Sequence, residues 1–276
     1  MKTFTILGTH AMTRNVRQKN YSRLALAAIF VMGITGLASC GDSTPQNSQK
    51  EAPAKEAAQE VVPQIDGNTL TYGDHTYTVD GTIDFAAKDH KKPTASVSFT
   101  NVPVDYAEFE AVYKGLLGKS SQGAAAMVPM ALEMFARDHA VGEKCLQLLC
   151  NAPTTVSEMV SILKTKLEAS QYGPENDQYL QRYMAAALLK GADSKNAYTP
   201  TEPYTVEMCS SPNGTKEAPL TGGTMYYLYI LANGWDTFQR SVEIIQLAGS
   251  EYFKVFNCPA TYSQCKTIVG EWAGLK

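Results

Sequence analysis

Downstream of Cys40 the chain carries five more cysteines, Cys145, Cys150, Cys209, Cys258 and Cys265, and three histidines, His75, His90 and His139. No two of these cysteines are spaced Cys-x-x-Cys, which argues against thioredoxin-type exchange. A zinc site would need histidines at a spacing the sequence lacks, so no metal is expected. Cys258 and Cys265 bracket a proline-containing loop and are the candidate disulfide, whereas Cys145 and Cys150 point to different faces of a helix-like run. With five thiols, at least one has no partner within the chain. Neither His-Glu-x-x-His nor Gly-x-Ser-x-Gly occurs, so a nucleophile and its base would have to meet from distant positions. Asp138-His139 reads as a solvated helix end. Gly118-Lys119-Ser120 has the tail of a phosphate loop, but Tyr113 stands where the first glycine belongs, and no cofactor is expected.

Aromatic residues are the other concentration of chemistry. Strand alternation puts Tyr227 and Tyr229 on one face and Tyr226, Leu228 and Ile230 on the other. Tyr227 and Tyr229, with Trp235 in the next turn, form a candidate ligand platform, since exposed rings stack on sugars, although one face of the strand must pack the core. Asp236 and Arg240 flank that turn and are expected to pair.

These residues need elements to hold them. Short alternating runs at 69–72, 76–79, 82–85 and 95–100, separated by Gly73-Asp74 and Asp80-Gly81, predict two or three small antiparallel strands. A helix is expected from Asp105, with Glu108 completing a capping box, Val104 stapled to Phe109 and Gly118 ending it. Residues 124–136 are apolar nearly all round and predict the most buried helix, with Pro129 near its start or at a kink. Further helices are expected at 141–150, after a Thr155 to Glu158 capping box, and from Pro174 to Gly191, making about five. Strands resume at 204–209, 224–231, 241–247, 251–256 and 267–272. Strands, then helices, then strands without alternation predict an α+β fold with small N-terminal strands, a helical bundle and a C-terminal antiparallel sheet.

The full chain has 276 residues, is 44% hydrophobic and 18% charged, and carries a net charge of −3, which excludes collagen-like, wholly disordered and polytopic membrane classes. Residues 1–39 contain five basic residues and no acidic one, and end in an apolar run from Leu24 to Thr35. Twelve residues rise only about 18 Å as a helix, short of the roughly 30 Å of bilayer hydrocarbon, so an export signal is expected rather than a spanning helix. Leu37-Ala38-Ser39-Cys40-Gly41 resembles the lipobox of bacterial lipoproteins. That resemblance implies cleavage before Cys40, diacylation of its thiol and anchoring in a bacterial envelope, with the outer membrane expected and the facing side left open. Loss of 1–39 would leave a net charge of −8, which argues against nucleic acid as a partner. Residues 40–63 lack large apolar side chains until Val61 and read as a tether about 25 Å in span. Within it, Asp42-Ser43-Thr44 resembles a short O-glycosylation motif of Bacteroidota, with Ser43 as the acceptor. Residues 64–276 are then one domain.

The segment Gly191-Ala192-Asp193-Ser194-Lys195-Asn196-Ala197-Tyr198-Thr199-Pro200-Thr201-Glu202-Pro203-Tyr204 resembles a Gly-Ala-x-x-x-Asn-x-Tyr-x-Pro-x-x-Pro-Tyr signature in an uncharacterised bacterial domain family. Gly234 to Arg240, with Asp236 and Arg240, is similar to that family's Gly-x-Asp-Ser-Pro-Arg turn, with the arginine one place late and the proline absent. The resemblance implies helices followed by a C-terminal sheet, over about residues 105–275, and carries no activity. Read physically, Tyr198 to Tyr204 is a polyproline-like crossover in which both tyrosines are packing anchors. The expected function is a lipid-anchored, non-catalytic binding or envelope-organising module, with the membrane and a glycan or envelope protein as partners. The alternative is a tethered hydrolase acting on glycan or envelope material.

Overall fold

The computed structural model describes residues 61–167, 183–263 and 265–269. By its contacts the chain divides into Met1–Glu56 and Ala57–Lys276, and every described residue belongs to the second unit. The elements are β1 (Gln64–Asp66), β2 (Thr69–Tyr72), β3 (His75–Gly81), β4 (Ala95–Phe99), α1 (Tyr106–Gly115), α2 (Ser121–Arg137), α3 (His139–Leu149), α4 (Pro153–Leu167), β5 (Tyr204–Ala218), β6 (Gly223–Leu231), β7 (Gln239–Gln246) and β8 (Phe253–Asn257). All eight strands form one sheet in sequence order, antiparallel throughout. The fold is mixed α+β.

The N-terminal strands are therefore not a separate small sheet. β4 pairs with β5 from Ala95↔Met208 to Phe99↔Tyr204, across the whole helical insertion. Every second residue along these strands is apolar and turned to the helices: Tyr77, Val97, Phe99, Val206, Met208, Leu228, Ile230, Val242, Ile244 and Val255 are all essentially without exposed surface. A two-layer arrangement follows, because one sheet face is covered by helices, while the other faces outward and is overlaid at Cys209 by the β3–β4 loop, whose His90 O accepts from Cys209 Sγ at 3.1 Å.

α2 is the centre of that core. Every residue from Ser121 to Leu132 is buried, Pro129 lies inside the helix, and Ser120 caps its start by accepting from the Gly123 amide at 3.1 Å. Phe135, Met127 and Met130 are fully buried, which at about 1.5–3 kcal/mol per large side chain makes this helix the main apolar contributor. α3 crosses α2 so closely that a Cβ added at Gly142 would sit 2.1 Å from the Phe135 Cα.

Several local expectations change. Residues 82–85 are loop, and β1 and the long β5 extension were not foreseen. Pro212-Asn213-Gly214 does not end β5 but bulges out of it, between Ser210↔Leu228 and Thr215↔Tyr226. Val104 is exposed and makes no staple; its amide instead donates to Glu108 Oε2 at 2.8 Å. α1 stops at Gly115, and Gly118 belongs to the 3-10 turn that follows. α4 begins at Pro153, so Thr155 and Glu158 are interior, and the Thr155 hydroxyl bonds to Phe256 O at 3.4 Å. Four α-helices stand among the described residues; half of the fifth expected helix, 174–182, lies outside them, and the described half, 183–191, is not α-helix but holds a 3-10 turn at Ala186–Leu188. Residues 267–269 form no strand, and 270–272 lie outside the described residues.

Candidate functional site

The solvent face of the sheet is divided. Over β2 to β5 its register rows are hydroxylic and acidic, with Thr69↔Thr78↔Ser98↔Thr205 in one row and Asp80↔Ser96↔Glu207 in the next. Over β6 to β8 it becomes aromatic and apolar. Tyr229 stands opposite Ser241, Tyr227 opposite Glu243, and Met225 opposite Ile245 and, beyond it, Lys254. At that end a cavity of about 230 Å³ is lined by Ala218, Pro219, Leu220, Met225, Ile245 and Phe256, among others. Leu220 is fully exposed and Phe256 is 40% exposed.

Tyr227 and Tyr229 thus share the open face, as alternation predicts. Trp235 does not join them: it is 6% exposed, with the Arg240 guanidinium 4.4 Å above its ring and its indole N–H donating to Ser263 O at 3.3 Å. Of the three expected residues only Tyr227 and Tyr229 stand together on that face, because Trp235 lies in the β6–β7 turn that folds back over the C-terminal segment. Lys216 Nζ lies 5.0 Å over the Tyr227 ring. Glu243, directly across from Tyr227, is pushed above the usual carboxylate range by burial, and no group among the described residues hydrogen-bonds it. Its role is not visible in the sequence, because strand parity gives its face but not its neighbour on β6.

Arg240 and Asp236 do not pair. Arg240 Nε donates to Ala260 O at 2.8 Å, Nη2 to the same oxygen and to Ser263 Oγ at 2.6 Å, while exposed Asp236 faces Lys266 at 3.8 Å. Burial lowers the Arg240 pKa. The fork ties β7 to the 3-10 turn at Pro259–Tyr262.

The signature segment is likewise structural. Asp193 caps a short 3-10 turn, and the Asn196 side chain accepts from Asp193 N at 2.9 Å while donating to Gly191 O at 2.8 Å and Thr199 O at 2.9 Å. Ala197 and Tyr198 have φ of 52° and 57°, so the chain reverses there instead of running on as polyproline. The buried Tyr198 hydroxyl donates to Lys266 O at 2.5 Å. Pro203 follows a cis peptide, Pro200 and Tyr204 line a cavity of about 180 Å³, and Tyr204 meets Phe99 edge-on at 5.7 Å.

Two histidine clusters emerge that sequence spacing gave no means to find. Glu108 Oε1 accepts from the Tyr77 hydroxyl at 2.7 Å and contacts His75 Nδ1 at 2.7 Å, all three side chains buried. Burial, then the Glu108 hydrogen bond and charge, raise the Tyr77 pKa far above its usual value. The second cluster binds the β3–β4 loop to β5. His90 Nδ1 lies 2.9 Å from Ser210 O and 3.4 Å from Ser210 Oγ, and His90 O accepts from Gln239 Nε2 at 2.7 Å. Ser210 has no exposed surface, so its hydroxyl meets no substrate in this form.

All five described cysteines are buried. Cys258 is a free thiol, so the loop disulfide to Cys265 is not formed: the intervening 3-10 turn sends Cys258 toward Cys150 and Tyr262, and Cys265 toward Tyr198 and Lys166. Burial pushes the Cys258 and Cys145 thiols up to about 12 and those of Cys209 and Cys265 to about 11. Among the described residues no group of three or more His, Cys, Asp or Glu could hold a metal ion, and no helix is long and apolar enough to cross a membrane. Cys40 and Ser43 lie outside the described residues.

A helical insertion capped by a four-stranded C-terminal meander defines the class. The chain belongs to a family described as a domain of unknown function, DUF6935, whose profile matches residues 101–269. The match begins after β4, so strands β1 to β4 lie outside the matched residues. No curated protein and no solved structure matches the chain.

Proposed function

We propose that this protein is a binding module, held at a bacterial cell envelope by lipid on Cys40, that engages its partner through the open sheet face over β6 to β8. The observation that carries the reading is a cavity rimmed by exposed Leu220 and Phe256 and half-buried Tyr227, with buried Met225 and Ile245 at its base. Exposed apolar side chains grouped around one cavity point to a partner more than the same residues scattered singly would. The charged leader, short apolar run and Cys40 support the anchor, and residues 41–63 supply reach from the membrane. Binding rather than hydrolysis is favoured because the His75–Glu108–Tyr77 cluster is buried and the His90–Ser210 contact ties the β3–β4 loop to β5, so both serve as structural ties.

Two measurements test this reading. Metabolic labelling with a palmitate analogue should mark the full chain and fail on Cys40→Ala. A photo-crosslinking residue placed at Leu220 should give a discrete adduct in cells, whereas one at Thr78 on the hydroxylic half should not. Equal silence from both positions would sink the binding face.

A further inference from the structure

The open face has a polarity that specifies more than apolar contact. Along β7 the outward side chains run Ser241, Glu243, Ile245; along β6 they run Tyr229, Tyr227, Met225. A carboxylate directly across from Tyr227, and diagonal to Tyr229, therefore stands two residues, about 7 Å, from the apolar cavity. Tyr227 and Glu243 are directly opposed, which places their Cβ atoms about 5 Å apart.

Resting on the binding reading above, we infer that this face recognises a protein partner through an extended segment carrying a basic side chain two residues from an apolar one, the cation meeting Glu243 beside Tyr227 and the apolar group entering the Leu220–Met225–Ile245–Phe256 cavity.

Charge complementarity carries the argument. Glu243 is partly desolvated, has no hydrogen-bonding group among the described residues, and is raised in pKa by that burial, so a cation is the group that would stabilise its ionised form most. The Tyr227 ring already takes a cation on its face, from Lys216, whose Nζ also donates to Asn213 Oδ1 at 3.2 Å. A sugar could stack on the tyrosines, but its hydroxyls would meet an almost wholly hydrocarbon cavity next door. An arginine or lysine with a leucine-like side chain two positions on matches both ends, since alternate residues of an extended chain are also about 7 Å apart.

The test uses the full chain in nanodiscs and a fluorescent peptide, acetyl-Ser-Arg-Thr-Leu-Ser-amide, against the same peptide with citrulline for arginine. Anisotropy should show the arginine peptide binding about tenfold tighter. In Glu243→Gln, folded by circular dichroism, that preference should fall below twofold, and Leu220→Asp should weaken both peptides. Equal binding of the two peptides, or a preference that survives Glu243→Gln, overturns the cation site. So does a neutral oligosaccharide that binds in their place and is lost in Tyr227→Ala. If neither peptide binds while crosslinks from Leu220 persist, this inference fails and the binding face stands; if the crosslinks are absent too, both fail.

Discussion

Glu108 accepts the Tyr77 hydroxyl at 2.7 Å from a position with 1% of its surface exposed, and so fastens α1 to β3 across the sheet–helix interface. The same oxygen meets His75 Nδ1, and the other oxygen holds the Val104 amide. Replacing the carboxylate with a methyl strands a buried phenol, an imidazole and an amide. Glu108→Ala is expected to cost about 3 kcal/mol, and Glu108→Gln less, because one acceptor oxygen survives. Urea unfolding of the two variants checks the order; a neutral Glu108→Ala would show that water replaces the carboxylate.

Alkaline pH should unfold the protein earlier than its charge alone suggests. Burial raises Tyr77, Tyr113 and Tyr198, and lifts Tyr262, Cys145 and Cys258 to about 12. A raised folded pKa on a phenol or thiol means the fold holds the neutral form. That stabilisation is complete below the ordinary ranges, about 8.5 for thiols and 10 for phenols, and is lost as pH rises toward the folded values. Chemical denaturation followed from pH 8 to 12 should show stability falling from about 9 upward, with tyrosinate absorbance appearing together with loss of helix. Gradual ionisation of all tyrosines near pH 10 without unfolding would contradict it.

Arg240 is expected to tolerate no conservative exchange. Its fork reaches Ala260 O and Ser263 Oγ while its plane stacks on Trp235, and a lysine can reproduce only part of this. Arg240→Lys should cost about 1–3 kcal/mol and red-shift the fluorescence of Trp235 as water reaches the indole. An unchanged spectrum would show that Trp235 is held by its other contacts.

Gly142 is fixed by space, not by backbone angle. Its missing side chain lets α3 lie against the Phe135 backbone, and a methyl there would overlap at 2.1 Å. Gly142→Ala is expected to destabilise by about 3 kcal/mol despite the better helix propensity of alanine. A stabilised variant in thermal melts would mean the two helices can part cheaply.

The buried thiols should be inert. Native protein is expected to leave Cys145, Cys150, Cys209 and Cys258 unmodified by a neutral thiol reagent over minutes, with full reaction only after denaturation. Rapid labelling of any one of them would reveal local opening at that site.

Local features are legible in the amino-acid sequence. Apolar runs, turns and caps place the helix through Ala124 to Ala136, the alternating strands near Thr69 to Tyr72 and Thr224 to Leu231, and the opposite facing of Tyr226 and Tyr227, because periodicity is a property of consecutive residues. Its basic leader and Cys40 likewise state an expectation of export and anchoring without any tertiary contact. Which strands meet is fixed by packing of the whole chain. Pairing of Phe99 with Tyr204 joins segments 105 residues apart, and nothing in either segment encodes the other's register. The same holds for His75 with Glu108, for Arg240 with Ala260, and for Tyr227 with Glu243: each pair is made by the sheet's register or by packing across it, at a distance along the chain where sequence pattern carries no information.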